Sequence, residues 1–141
     1  MNWYKISQEQ KTYPLARSTI SGLTIQNADN IPNLDSIDAT LDKYTILTGI
    51  REIPTSDFGL TGKHYSVQGN NAIRSLQSQI ESSNKITPLI VVVDSEGPYI
   101  LEGSTRIDAL YNMGIKTFPA LVVIDESETN TNTPEDNYEL V

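Results

Sequence analysis

The run Glu102-Gly103-Ser104-Thr105-Arg106 has the clearest chemistry of the chain, and it joins an apolar stretch to an amphipathic one. Its glycine ends a predicted strand where a helix begins, and Arg106 falls in the first turn of that helix. Backbone N–H groups at a helix start attract anions, and a guanidinium can hold a phosphate through two parallel hydrogen bonds. Gly103 lets the backbone approach a ligand, and Ser104 is the expected N-cap. The run therefore predicts an anion-binding turn.

The same residues also fit a purely structural role. Strand-to-helix junctions often carry glycine and serine for capping alone, and Arg106 could pair with Asp108 or another nearby acid. From the local chemistry, both interpretations stay open.

A second source of candidates is the segment from Thr55 to Gly69, which contains three glycines and is expected to be a mobile loop. Lys63 is a candidate phosphate contact on this loop. His64, the single histidine, is a candidate acid–base group, and its alternative is an exposed side chain without a function.

Composition limits the classes of function. The 141 residues suffice for one domain, and the formal net charge is -8, with 18 acidic and 10 basic residues. Non-specific DNA affinity depends on lysine and arginine, so this chain alone is unsuited to DNA binding. The absence of cysteine excludes disulfides, thiolate metal sites and a cysteine nucleophile, and no metal-ligand cluster is evident. We expect a cytoplasmic protein without membrane contact, because no apolar run reaches the length of a membrane span.

The elements that must position the turn follow from apolar periodicity. The pattern predicts a helix over 71–83 capped by Asn70 and Asn71, a strand over 88–94 buried on both faces, and a returning strand over 99–101. A helix over 105–113, ending at Gly114, and a strand over 118–124 complete the series. We expect a small mixed sheet with packed helices, of the α/β or α+β class.

The chain divides into three predicted parts. Residues 1–50 form an N-terminal extension packed on the core, 51–125 form the domain, and 126–141 form an acidic tail expected to be disordered. Within the extension, the apolar residues predict a short anchor and a weak helix: Trp3, Tyr4 and Ile6 for the anchor, and Leu34, Ile37, Leu41 and Tyr44 for the helix. A short strand over 50–54, stopped by Pro54, opens the domain.

The order of these elements resembles the ParB/sulfiredoxin superfamily. A helix, a Pro-Leu-Ile-Val-Val strand, a hairpin into Gly-x-x-Arg, a helix ending in glycine and a Pro-Ala-Leu-Val-Val strand follow one another over residues 51–125. The superfamily includes N-terminal domains of ParB-type partition proteins, sulfiredoxins and ParB-like serine kinases. The resemblance implies that Gly103, Ser104, Thr105 and Arg106 hold nucleotide phosphates.

The chain also departs from the family pattern. Ser104 stands where sulfiredoxins carry their reactive cysteine, so sulfinic acid reduction is excluded. Of the phosphate-contacting positions on the preceding helix only Ser75 is retained, because Ala72 and Gln79 occupy the other two. Arg74 is a candidate replacement for the missing lysine. The extra arginines of partition proteins are also absent, so fewer side chains are expected to contact the phosphates.

The serine kinases of the family place an acid just after the first strand, and Asp57 is the nearest match. Glu102 is a second candidate carboxylate. Each also has a structural alternative, Asp57 as a surface turn residue and Glu102 pointing outward from the strand end. A carboxylate beside bound phosphate would need Mg²⁺ between the two negative groups.

Three functions follow from these observations. The first is binding of a nucleotide (ADP, ATP or CTP) or another phosphate ligand at the turn, with phosphotransfer or hydrolysis in the presence of Mg²⁺. The second is a non-enzymatic interaction module with a protein partner, derived from a phage or mobile element. The third is a ParB-like DNA-binding or nuclease domain, against which the net charge argues.

Overall fold

Residues 13–58 and 69–127 are described by the computed structural model. Within these ranges the elements are, in chain order, β1 (Thr19–Ile20), β2 (Leu23–Ile25), α1 (Asp35–Thr40), β3 (Tyr44–Ile46), β4 (Arg51–Pro54), the 3-10 turn η1 (Thr55–Phe58), α2 (Asn70–Ser83), β5 (Lys85–Ile86), β6 (Leu89–Asp94), β7 (Gly97–Glu102), α3 (Ser104–Asn112) and β8 (Thr117–Asp125). None of the helices in these ranges is long and apolar enough to cross a membrane.

The main sheet is built on the two longest apolar runs of the sequence. Its strand order is β3-β8-β6-β7, and β4 pairs with the opposite end of β8 from β3. Strands β6 and β8 are parallel, whereas the pairings of β7, β3 and β4 are antiparallel. The mixed sheet with packed helices predicted from the sequence is confirmed as an α+β fold.

Both faces of this sheet are covered, which explains why β6 reads as a continuous β-branched run. Successive side chains of a strand point to opposite faces, and β6 divides accordingly between two hydrophobic clusters. Leu89, Val91 and Val93 pack with residues of α2 and α3, while Ile90 and Val92 pack with residues around α1. The fold is therefore a helix pair, a sheet and a third helix in layers.

Helices α2 and α3 cover one face of the main sheet, and Arg106 belongs to α3. Ile73 and Ile80 of α2 are buried, and Ile107 and Leu110 are the corresponding residues of α3. These pairs are spaced for one helical face, so burial of that face holds each helix on the sheet. Gly114, with φ of +74°, follows the end of α3 as expected for its C-terminus.

A small second sheet joins the N-terminal segment to the helix pair. Strands β1 and β2 form an antiparallel hairpin, and β2 pairs in parallel with β5 directly after α2. No pattern in the sequence had indicated this sheet, because its strands are only two or three residues long.

Three local expectations were wrong. Helix α1 stops at Thr40, and Tyr44 lies in β3 rather than on the helix. The N-caps of α2 and α3 are Gly69 and Gly103, so Asn70 and Ser104 are the first helical residues. Both glycines have positive φ, 88° and 109°, a backbone conformation that glycine adopts without the steric cost of a Cβ.

Candidate functional site

The strand register places the predicted turn and the predicted carboxylates at the same end of the strands of the main sheet. Glu102 pairs with Ile90 at the start of β6, and the neighbouring Leu89 pairs with Ala120 near the start of β8. Pro54, the last residue of β4, pairs with Thr117 at the start of β8. The C-terminal ends of β7 and β4 therefore lie on the same side of the sheet, where the chain continues into α3 and η1.

Gly103 makes the turn out of β7 possible. Its φ of +109° is one that L-amino acids rarely adopt, and a Cβ here would lie 2.5 Å from Cγ of the fully buried Leu89. The glycine is therefore required by the close packing of the turn on β6, apart from any ligand. The first backbone bond within α3 runs from the N–H of Ile107 to the carbonyl of Gly103 at 2.9 Å. The backbone N–H groups of Ser104 and Arg106 accordingly have no carbonyl acceptor within the helix.

Arg106 points from α3 toward the segment between β5 and β6. Its Nη1 donates to the carbonyl oxygens of Thr87 at 2.7 Å and of Pro88 at 2.9 Å. Within the described residues, Nε and Nη2 have no hydrogen-bond partner. Burial lowers the pKa of Arg106, and the negative charge of Glu102 acts in the opposite direction. Within the described residues, Arg106 makes no hydrogen bond to Asp108, the alternative partner considered from the sequence.

A groove of about 600 Å³ opens beside this guanidinium. Its walls are the C-terminal half of α2, the β5–β6 segment and the connection between β2 and α1. Among the described residues the lining contains two cationic side chains and no carboxylate: Gln26, Pro32, Leu76, Gln79, Ile80, Ser82, Ser83, Lys85, Ile86, Thr87 and Arg106. We refer to it as the Arg106 groove. Its lining is electropositive although the chain as a whole is acidic.

Thr87 joins two walls of the Arg106 groove. Its carbonyl accepts from Arg106, and its Oγ1 accepts from Nε2 of Gln26 at 3.3 Å and from Nδ2 of Asn27 at 3.0 Å. The backbone N–H of Gln26 also donates to the carbonyl of Ile86 at 2.9 Å. These bonds fix the segment after β2 against the segment from β5 to β6, whose carbonyls accept from Arg106.

The two predicted carboxylates lie outside the groove lining, and each accepts a hydrogen bond from a neutral donor. The hydroxyl of Tyr13 donates to Oδ2 of Asp57 at 3.1 Å, and Nδ2 of Asn33 donates to Oε1 of Glu102 at 3.1 Å. Within residues 13–58 and 69–127, no group of three or more His, Cys, Asp or Glu side chains is arranged to hold a metal ion.

The other predicted contacts are dispersed. Ser75 is exposed on α2 and does not line the groove, whereas Gln79, one turn further, does. The guanidinium of Arg74 donates to Oδ1 of Asn71 on its own helix at 2.8 Å. Lys63 and His64 lie outside the described residues.

Among the polar groove residues, sequence reasoning missed Gln26, Gln79, Lys85 and Thr87. Gln26 lies in the N-terminal extension, for which no local pattern indicated a ligand. Lys85 and Thr87 both precede the strand that was predicted, and only the tertiary contact with α3 brings them to Arg106.

A second groove, of about 630 Å³, lies on another part of the surface. Apolar side chains dominate its lining, with one basic and one acidic residue: Leu15, Ala16, Arg17, Ser18, Ile25, Ala28, Asp29, Gly49, Ile50 and Leu121. We refer to it as the Leu121 groove.

Comparison with known proteins gives a similarity of fold. The chain is similar to a solved Pnob8-like ParB-N domain, with a TM-score of 0.45 and 18% sequence identity, over 64% of this chain and 35% of that chain. It is also similar to sulfiredoxin from Arabidopsis thaliana, with a TM-score of 0.44 and 20% identity, over 57% and 93% of the two chains. No family model and no curated protein matches the sequence. These similarities concern the fold alone.

Proposed function

We propose that the protein binds a phosphate-bearing ligand, a nucleotide such as ADP, ATP or CTP, in the Arg106 groove. The observation that supports this most directly is the position of the guanidinium. Nη1 is fixed by the carbonyls of Thr87 and Pro88, and Nε and Nη2 have no partner among the described residues. A guanidinium held at one nitrogen is oriented in advance, so its other donors can bind an anionic oxygen at a small entropic cost.

The charges of the groove support an anionic ligand. Arg106 and Lys85 both line it, and its described lining contains no carboxylate. Burial lowers the pKa of Arg106 because water is removed from the charged form, and a phosphate would supply the compensating charge. Of the predicted turn, only Arg106 lies in the described lining of the groove, whereas Gly103, Ser104 and Thr105 lie outside it.

The size of the groove suits a ligand of nucleotide dimensions. Pockets for small molecules and cofactors have volumes of roughly 300–1,000 Å³. At about 600 Å³, the Arg106 groove lies within this range. An inorganic phosphate alone would leave much of it empty.

Phosphotransfer or hydrolysis is the further part of the proposal. Glu102 ends β7 and Asp57 lies three residues after β4, and both strands end on the side of the main sheet where the turn lies. If Mg²⁺ were bound together with a nucleotide, Asp57 and Glu102 would be the residues to hold it, and the ion would supply positive charge between carboxylate and phosphate. Tyr13 and Asn33 hold the two carboxylates in place through their hydrogen bonds.

Calorimetric titration and thermal shift with ADP, ATP, CTP and GTP, each with and without Mg²⁺, test the binding. We expect Arg106→Ala to weaken the binding of the nucleotide that gives the largest shift by about a hundredfold, the upper range for a hydrogen bond to a charged group. Because Arg106 also donates to the part-buried carbonyls of Thr87 and Pro88, this variant can lose stability as well.

Lys85→Ala provides the second variant, since Lys85 is exposed and lies in the same lining. We expect it to weaken binding about threefold without a change in thermal stability. Arg17→Ala, in the Leu121 groove, is the matched control and should bind as the wild type does. The absence of any shift across the panel would contradict the proposal and favour the interaction module.

A further inference from the structure

We infer that Gln26 and Gln79 determine specificity by binding the neutral part of the nucleotide, its base or ribose, and so discriminate nucleotides from inorganic polyphosphate. This inference rests on the proposed function. It assigns the base or ribose of the nucleotide to the part of the Arg106 groove that the phosphates do not fill.

The two glutamines reach the Arg106 groove from different walls. Gln79 lies on α2, where Leu76, Ile80 and Ser83 share its side of the helix at the spacing of successive turns. Gln26 follows directly after β2 and belongs to the segment that runs toward α1. The groove is thus bounded by a carboxamide on the helical wall and another on the loop wall.

Both carboxamides retain hydrogen-bonding capacity. A glutamine side chain has two N–H donors and one carbonyl acceptor. Nε2 of Gln26 donates to Thr87 at 3.3 Å, which uses one donor and leaves Oε1 and the other N–H. The side chain of Gln79 makes no hydrogen bond within the described residues, although its backbone carbonyl accepts from Ser82. Together they can donate to and accept from one ligand.

Electrostatics separates the two parts of the groove. Ser82 and Ser83 lie in the last turn of α2, where the negative end of the helix dipole opposes an anion, and Lys85, two residues after the helix, offsets part of this field. Arg106 enters from α3, where cationic donors favour one. A ligand that fits both parts carries its phosphates at Arg106 and an uncharged group with N–H or O–H donors near the end of α2. A nucleoside phosphate has this arrangement.

The assignment gives the N-terminal extension a role in recognition. Gln26 lies outside residues 51–125, over which the sequence resembles the ParB/sulfiredoxin superfamily. The hydrogen bonds from Gln26 and Asn27 to Thr87 hold the extension against the arginine-bearing side of the groove. Specificity would therefore come from a part of the chain that the anion-binding turn does not include.

The test compares dissociation constants for ATP, CTP and inorganic tripolyphosphate by calorimetry on the full chain. We expect the wild type to bind at least one of the nucleotides more tightly than tripolyphosphate. Gln26→Ala and Gln79→Ala should each weaken binding of that nucleotide by about tenfold, the effect of losing one well-made hydrogen bond. Their affinity for tripolyphosphate should stay at the wild-type value.

Two control variants separate recognition from structure. Gln77→Ala removes a carboxamide from the same helix outside the groove lining, where it donates to Glu81. Asn27→Ala removes the other hydrogen bond to Thr87 without altering a groove residue. Gln77→Ala should bind nucleotide as the wild type does. Because Asn27 helps to hold the segment that carries Gln26, Asn27→Ala should weaken nucleotide binding, but less than Gln26→Ala does. If the two variants weakened it equally, Gln26 would be only a structural tether.

The possible failures are distinguishable. If the wild type binds tripolyphosphate as tightly as ATP and CTP, or the glutamine variants weaken both ligand types equally, the inference is wrong and phosphate binding stands. If neither nucleotides nor tripolyphosphate bind, the proposed function itself fails.

Discussion

The Arg106 groove and the Leu121 groove are nearly equal in volume, about 600 and 630 Å³, but they differ in chemistry. The first presents two cations and several neutral hydrogen-bonding side chains, with no carboxylate among its described lining. The second is bounded mainly by aliphatic side chains, and its single arginine is accompanied by Asp29. Volume therefore does not distinguish them, whereas the charge and donor content of the lining does.

The two grooves also differ in how rigidly their walls are held. The guanidinium in the first is fixed by two backbone carbonyls, and its neighbour Gly103 packs on the fully buried Leu89. In the second, Gly49 packs on Leu15, a side chain that is 64% exposed. A preorganised wall favours specific binding because less conformational entropy is lost when the ligand arrives.

The largest expected effect comes from adding a methyl group at each of these glycines. Gly103→Ala places Cβ 2.5 Å from Cγ of Leu89 at a φ of +109°, and should lower the free energy of unfolding by about 3 kcal/mol. Gly49→Ala places Cβ 2.7 Å from the end of Leu15, which can move into solvent, so about 1 kcal/mol is expected. Urea denaturation of both variants measures the difference. Equal losses would contradict the difference in rigidity.

An intermediate effect is expected at alkaline pH, through the segment that forms one wall of the Leu121 groove. This segment pairs with β4 through Leu15 and Arg51, and the buried Tyr13 holds its start by donating to Asp57. Burial, and secondarily the charge of Asp57, raises the pKa of Tyr13 above its ordinary value of about 10.

The unfolded chain therefore releases this proton near pH 10 while the native chain keeps it. The stabilisation is complete below pH 10 and decreases as the pH rises toward the native pKa, by up to about 1.4 kcal/mol per pH unit. Denaturation at pH 9, 10 and 11 should show a steeper loss for the wild type than for Tyr13→Phe. Tyr111→Phe, at a tyrosine that is 48% exposed, serves as the control and should keep the wild-type slope.

The smallest expected effect concerns Glu102, which lies near Arg106, and Asp29, which lines the Leu121 groove together with Arg17. Glu102 lies in the turn with Arg106 and offsets part of its charge, so Glu102→Gln should tighten phosphate binding about threefold. Asn33 can still donate to the amide oxygen of the new side chain. Asp29→Asn, in the Leu121 groove, should leave phosphate affinity unchanged. A titration with tripolyphosphate in the absence of Mg²⁺ measures both, and an unchanged or weaker affinity for Glu102→Gln would contradict the expected charge effect.

The central strands and the long helices could be predicted because their patterns are local. The β-branched run of β6, the helical spacing in α2 and the glycine after α3 each depend on a few neighbouring residues. The small sheet of β1, β2 and β5 could not be predicted, because strands of two or three residues have no periodicity. Tyr44 was assigned to a helix since its spacing fitted, but pairing with Asp125 on β8 places it in a strand.

For the candidate site, the sequence indicated the turn but not its surroundings. The chemistry of Gly103 and Arg106 allowed either an anion site or a structural cap, and the resemblance to the superfamily favoured the anion site. The contacts of Arg106 with Thr87 and Pro88 span 19 and 18 residues of sequence, and they depend on how α3 packs against β5 and β6. Gln26 reaches the same groove from a hairpin even further away.

The sequence by itself determined the order of strands and helices, the glycine at the start of α3 and an arginine within its first turn. These depend on backbone conformation and on side-chain periodicity, which act over a few residues. Only the tertiary structure decided that the guanidinium lies against the β5–β6 segment and that Lys85, Gln26 and Gln79 share its groove. It also separated the carboxylates of Asp57 and Glu102 from that lining. The physical reason is that a binding site requires convergence of side chains across packed elements, and packing follows from burial of the whole apolar surface.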